Sequence, residues 1–201
     1  MNKSAIRQIY KLKRLELTTN EVQEKSKIIA ENFIKNLLPK ISGFSDKKLA
    51  FYIAANNEVD PIFIIKHCQD LGNIIALPKI VPNSLILDFK SYKIGDKLYP
   101  NHIYPKLFEP EKQNQTIIAD IIFVPLVAFD KNCNRIGMGG GFYDATINYY
   151  KKNLWQNHKQ THHQTFIGLA YDWQNFSEIP QETSDQNLNY IVCEKNIISR
   201  S

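Results

Sequence analysis

The chain has 201 residues, a formal charge of +5, a pI near 9.0 and three cysteines. A chain of this size buries roughly 70% of its unfolded surface as one domain, and Cys68, Cys133 and Cys193, odd in number, far apart and without a CxxC pair, argue against a disulfide framework or a zinc site and fit a reducing cytoplasm. There is no apolar N-terminal block and no run of about 18 apolar residues, so neither a signal peptide nor a membrane span is expected, and the scattered Lys and Arg favour an anionic partner, a phosphorylated small molecule as readily as nucleic acid.

From Ser4 to Leu17, the residues Ile6, Ile9, Leu12 and Leu15 or Leu17 recur at helical spacing, with Lys3, Arg7, Lys11 and Arg14 on other faces. This predicts a first helix with an apolar stripe; Lys3 and Arg7, four apart, form either a solvated basic face or a pair able to grip phosphate. Thr18 and Glu21 have capping-box spacing, and Val22, Ile29, Phe33 and Leu37 carry a second helix as far as Pro39. Leu49 to Ala55 reads as a short buried strand. Glu58 follows it, and either caps the next helix, Ile62 to Leu71, or contacts a ligand. Gly72 closes that helix, and Ile74 to Leu77 make a strand broken by Pro78, Lys79 and Pro82, leaving Lys79 solvated but within reach of a site. Leu85 to Phe89 is read as a further strand, Ser91 to Pro105 as irregular, and Phe108-Glu109-Pro110 as a compact piece whose proline fixes the backbone and whose spacing shows no chemistry.

The stretch Ile121 to Asp144, IIFVPLVAFDKNCNRIGMGGGFYD, organises the rest. Ile121 to Phe129 is almost wholly apolar and predicts a strand buried on both faces. The polar turn Asp130 to Asn134 leads to Arg135 and then to Gly137, Gly139, Gly140 and Gly141, four of the chain's eight glycines. Such a cluster permits positive φ and turns several N–H groups toward one point, either as a tight turn or as an anion cradle. Neither a Walker loop nor a dinucleotide fingerprint fits, because no Gly-Lys-Ser/Thr ends the run and Phe142 stands where a glycine would be needed. Arg135 supplies a permanent cation, and Asp144, at the start of a predicted helix, is placed to hold Mg²⁺ against a polyphosphate. Ala145 to Trp155 is read as helical, and Lys151 to Thr165 as a polar loop whose His158, His162 and His163 are not taken as metal ligands. Phe166 to Ala170 and Tyr190 to Cys193 read as closing strands. Alternating strands and helices predict a single-domain α/β protein, a three-layer α/β/α sandwich, Rossmann-like, with a mainly parallel or mixed central sheet.

VPLVAFD followed by RIGMGGGFYD resembles the segment VPgxAFDxxGxRLGyGxGYYDR of the 5-formyltetrahydrofolate cyclo-ligases, also called 5,10-methenyltetrahydrofolate synthetases. The resemblance extends to Lys3 and Arg7, Glu58, Leu77-Pro78-Lys79, Glu109-Pro110, and Asp185 ahead of Tyr190-Ile191-Val192. Departures are local: Cys133 replaces a glycine, Phe142 a tyrosine, Ala145 an arginine and Ser184 a histidine. The resemblance implies ligase activity in folate one-carbon metabolism, with ATP and Mg²⁺ converting 5-formyltetrahydrofolate to 5,10-methenyltetrahydrofolate through a phosphorylated formyl group. It implies that Lys3, Arg7 and Arg135 meet the ATP phosphates, joined by Ile136, Gly137, Met138, Gly139, Gly140, Gly141, Phe142 and Tyr143. Glu58 would meet the pterin edge, with Met138 to Phe142 lying against the folate as well. Arg135, the three glycines 139 to 141 and Tyr143 would surround the reacting groups, and Asp144 and Asp185 would hold Mg²⁺. No nucleic acid or membrane partner is implied, and a monomer or weak dimer is expected. A relative acting on a different phosphorylatable substrate and a basic RNA- or nucleotide-binding module are the competing readings; the second lacks an RRM-type aromatic pattern or a concentrated basic stripe.

Overall fold

The computed structural model describes residues 1–155 and 164–200. Helix α1 spans Lys3–Leu15, capped by the Asn2 side chain, which accepts from Ala5 N at 2.9 Å. Helix α2, Thr19–Asn32, starts at the expected capping box: Thr18 Oγ1 accepts from Glu21 N, and the Glu21 carboxylate accepts from Thr18 N. Such a cap contributes about 1 kcal/mol. A π-helical turn, Phe33–Leu37, and a 3-10 turn, Leu38–Lys40, complete it near Pro39. Then come β1 (Lys48–Ala50), α3 (Ile62–Asp70), β2 (Ile74–Lys79), β3 (Asp88–Ser91), β4 (Tyr99–Pro100), β5 (Phe108–Glu109), β6 (Ile121–Val124), β7 (Ala128–Phe129), β8 (Arg135–Ile136), α4 (Phe142–Tyr149), β9 (Thr165–Leu169), β10 (Tyr190–Val192) and β11 (Ile197–Ser199).

Seven strands form the main sheet in the order β11-β10-β9-β6-β1-β2-β3. The five central strands run parallel, and β3 and β11 close the two edges antiparallel. Side chains alternate across it as the two-residue period requires. Leu49, Ile121, Phe123, Ile167 and Leu169 pack on one face with α2 and α3, while Ala50, Ile122, Val124 and Phe166 pack on the other with Ile147 and Tyr150 at the end of α4. The sandwich expected from the alternation of elements is therefore present, with helices on both faces. A third cluster, Ile6, Val127, Ala128, Ile136 and Ile179, seats α1 on the β7-β8 hairpin.

Several local expectations are corrected. The run Ile121 to Phe129 is not one strand: β6 stops before Pro125, and Ala128–Phe129 leaves the sheet to pair antiparallel with Arg135–Ile136. Of Leu49 to Ala55 only Leu49 and Ala50 lie in β1, and the strand expected at Leu85 to Phe89 begins at Asp88. Strand β11 was not foreseen. On α1 the apolar stripe faces outward, Ile9, Leu12 and Leu15 being 49%, 58% and 57% exposed, while Ile6 and Arg14 are buried. The hairpin and the turn near Glu58 take the other face of that helix. His158, His162 and His163 lie outside the described residues. Among the described residues no helix is long and apolar enough to cross a membrane.

Candidate active site

A cavity of about 1170 Å³ opens at the carboxyl ends of β1, β2 and β6, where Tyr52 to Ala55, Pro78 and Pro125 line it. Open α/β sheets bind their ligands at this end, beyond the strand termini. The β7-β8 hairpin delivers the glycine loop to it. Its turn is held by the fully buried Asp130, whose carboxylate accepts from the N–H groups of Asn132, Asn134 and Ile179 at 2.9–3.1 Å and from Asn134 Nδ2 at 2.8 Å. Cys133 sits in that turn at φ +59, a left-handed conformation that costs a non-glycine residue about 1–2 kcal/mol.

Beyond the hairpin, Gly139 and Gly141 take φ +103 and +73, and Gly141 is the N-cap of α4. No N–H from Gly137 to Gly141 finds an acceptor among the described residues. Arg7 Nε donates to Gly137 O at 2.8 Å, and its guanidinium lies beside Gly139. Arg135, 5% exposed, donates through Nη1 to Asp144 Oδ1 at 2.8 Å, and the same oxygen accepts from Gln186 N at 3.0 Å. Lys3 is ion-paired with Asp185, and Glu182 lies 3.4 Å from its Nζ. The structure thus brings Lys3, Arg7, Arg135, Ile136, the loop Gly137 to Phe142, Tyr143, Asp144 and Asp185 to one cavity. Both aspartates are bonded to the cations beside them.

Glu58 lines the same cavity and does not cap the following helix; Asp60 Oδ1 accepts from Ile62 N instead. Glu58 Oε2 accepts from Ala55 N at 3.1 Å, and Oε1 lies 3.3 Å from Nη1 of the buried Arg14. Burial raises the Glu58 pKa, opposed by the Arg14 charge and by the bonds from Ala55 and Arg14. Burial likewise pushes the Tyr143 phenol far up, helped by the Glu58 charge, and its hydroxyl has no partner among the described residues.

Three features escape a reading from spacing. Arg14, on a face other than the expected apolar stripe, is buried, since Ile6, Tyr10 and Arg14 recur every four positions along the packed face of α1. Lys79 is not solvated: it pairs with Glu109 and donates to Pro110 O at 3.2 Å, while Glu109 also accepts from Asn101 Nδ2 and Ile80 N. Those bonds hold the Glu109 pKa down against the opposing effect of burial. An apolar collar of Leu85, Leu107, Phe108 and Phe142, with Tyr104 edge-on to Phe142, rims the opening.

Residues 1–194 match the sequence model of the 5-formyltetrahydrofolate cyclo-ligase family. The 5-formyltetrahydrofolate cyclo-ligase of Haemophilus influenzae is 34% identical over 69% of this chain and 71% of its own, and that of Mycoplasma genitalium is 29% identical over 96% and 98%. The fold is that of the 5,10-methenyltetrahydrofolate synthetase of Aquifex aeolicus, at 24% identity and a TM-score of 0.76 over 99% of this chain and 93% of that one. The Mycoplasma pneumoniae synthetase superposes with a TM-score of 0.70 at 23% identity, over 96% and 98%. Matched along nearly its whole length, this chain belongs to the 5-formyltetrahydrofolate cyclo-ligase family and is a ligase.

Proposed function

We propose that the protein, as one domain spanning residues 1–201 and acting in the cytoplasm, cyclises 5-formyltetrahydrofolate to 5,10-methenyltetrahydrofolate with ATP and Mg²⁺. The observation that carries this proposal is that a glycine loop flanked by Arg7 and Arg135 shares one cavity with a buried carboxylate, Glu58. An anion site and a site for N–H donors, side by side, suit a polyphosphate and a pterin.

An amide-like formyl oxygen is a poor leaving group. Transfer of the γ-phosphoryl of ATP forms an O–P bond to that oxygen, breaks the bond to the departing ADP and leaves an iminium phosphate. N10 of the folate then attacks the formyl carbon; the C–O bond breaks, phosphate leaves and the N10 proton is lost. Positioning and charge stabilisation are the protein's task in such a transfer. Lys3, Arg7 and Arg135 neutralise phosphate oxygens, the N–H groups of Gly137 to Gly141 face the transferring group, and Ile136, Met138, Phe142 and Tyr143 pack around both substrates. Glu58 accepts from the pterin N–H groups, a directional contact whose loss leaves buried polar groups unpaired.

The donor set fits Mg²⁺ that arrives with the nucleotide. Among the described residues there is no group of three or more His, Cys, Asp or Glu able to hold a metal unaided, yet Asp144 and Asp185 line the phosphate end, and Mg²⁺ bound to a nucleotide needs only one or two carboxylates. Bound there, it would neutralise charge on the phosphates.

Near-ultraviolet absorbance of the methenyl product tests the proposal. Protein mixed with 5-formyltetrahydrofolate, Mg²⁺ and ATP gives a rise that vanishes when ATP is withheld. No rise from protein that binds ATP would point instead to a different phosphorylatable substrate.

A further inference from the structure

The cyclisation proposed above makes no direct use of Arg14. This side chain is 1% exposed at the end of α1 and does not line the cavity; it stands behind Glu58, which does. Its Nη1 is 3.3 Å from Glu58 Oε1 and its Nη2 3.7 Å from Met138 Sδ, so one guanidinium touches both the cavity carboxylate and the glycine loop. The helix end that carries it is fixed to the same turn: Asn57 Nδ2 donates to Arg14 O at 3.2 Å and to Leu17 O at 2.8 Å. A planar fork held at both ends in this way restricts where Glu58 can aim.

We infer that Arg14 is a positioning residue that sets specificity for a substrate bearing N–H donors, by keeping Glu58 an ionised acceptor directed into the cavity. This rests on the assignment of Glu58 to the pterin. Arg14 is the only cation bonded to Glu58 among the described residues. The other titratable groups that face it are phenols, Tyr52 beyond β1 and Tyr143 on α4, both pushed upward by burial first and by Glu58 second. Tyr171, whose hydroxyl donates to Asn57 O at 3.1 Å, is the titratable neighbour on the Arg14 side. The phenols stay neutral, so the charge state of Glu58 is set by burial against Arg14 and the bond from Ala55 N. Removing the guanidinium therefore moves the protonation of Glu58 to higher pH, because the attraction opposing burial is lost.

The test is equilibrium binding of 5-formyltetrahydrofolate to the full chain without ATP, as a function of pH, for wild type, R14M, E58Q and R14M/E58Q. The expected result for R14M is binding weakened about 10- to 100-fold at neutral pH and recovering on the alkaline side. E58Q is weakened with a flat profile, and the double variant matches E58Q. R14K, which retains the charge, keeps the wild-type midpoint with partial affinity, and serves if R14M does not fold. The inference is overturned if loss in R14M is uniform across pH and additive with E58Q, or if wild-type binding persists in R14M; where R14K stands in, it is overturned by wild-type affinity in R14K or by a loss in R14K/E58Q beyond that of E58Q. Wild-type binding by E58Q would instead refute the pterin assignment itself.

Discussion

Gly139→Ala isolates the backbone of the proposed anion cradle from everything around it. A Cβ at this position would meet only the Arg7 guanidinium, at 3.7–4.0 Å, which is ordinary contact, so space is not the obstacle. The obstacle is φ +103, beyond the left-handed well that L residues occasionally adopt. Holding alanine there costs on the order of 1–3 kcal/mol. That energy has two places to appear. If the loop keeps its shape, the whole amount is lost from stability, and Tm falls by about 2–12 °C for a chain of this size. If the loop relaxes, stability is spared, but the N–H groups no longer converge and ATP must restore them, which weakens binding by about 5- to 150-fold. Melting curves and an ATP titration on the same preparation measure both shares, and together they should account for the strain. A variant that melts and binds ATP as wild type does would show that the positive φ has no part in phosphate recognition.

Glu58→Gln should raise the KM for 5-formyltetrahydrofolate far more than that for ATP; equal effects on both would reduce Glu58 to a brace for the turn at Ala55. Asp144→Asn should raise the Mg²⁺ requirement for turnover and tighten binding of Mg²⁺-free ATP, since it removes a negative charge beside the phosphates; an unchanged Mg²⁺ titration would remove Asp144 from the metal site. Gly168→Ala acts on the core alone, because its Cβ would lie 2.7 Å from Leu126 Cδ2 and 2.8 Å from Leu188 Cδ1. Overpacking of this kind costs about 1–3 kcal/mol, so Tm should fall with both KM values unchanged, and a fall in ATP affinity instead would tie β9 to the site.

The layered fold was readable because its strands and helices carry separate periods. Thr18 and Glu21 announce α2, Gly72 ends α3, and the apolar runs at Ile74, Ile121 and Phe166 become parallel strands. The failures have one physical origin, which is that local pattern does not report which neighbour a residue meets. Val127 and Phe129 are as apolar as Phe123, yet they serve a hairpin outside the main sheet, because Pro125 supplies no N–H to continue the ladder. Ile9 and Leu12 have the spacing of a core face but are exposed, while Arg14 takes the buried position because Glu58, 44 residues away, compensates its charge. That the glycine loop and its cations share one place was legible in the sequence; the partners of Arg14, Lys79 and Glu58 were long-range and left no trace in spacing.

Those partners bear on how the site would handle charge. Each cation assigned above to phosphate is bonded within the protein: Lys3 to Asp185, Arg135 to Asp144, and Arg7 to Gly137 O. A polyphosphate that takes Lys3 and Arg135 must displace two carboxylates, which then face several phosphate oxygens across a few ångströms. At an effective dielectric of about 20, one such like-charge pair at roughly 5 Å opposes binding by about 3 kcal/mol, reduced by solvent at the open mouth. On the proposed reading, the displaced Asp144 and Asp185 would be placed to hold a divalent cation entering with the phosphates, and its charge would reverse the sign of that interaction. The proposed site would therefore favour metal-bound nucleotide over free nucleotide. Glu58 stands apart from this exchange, since its arginine lies behind it rather than at the phosphates. On the proposed assignment, a folate would occupy the carboxylate end without competing for the cations given to ATP.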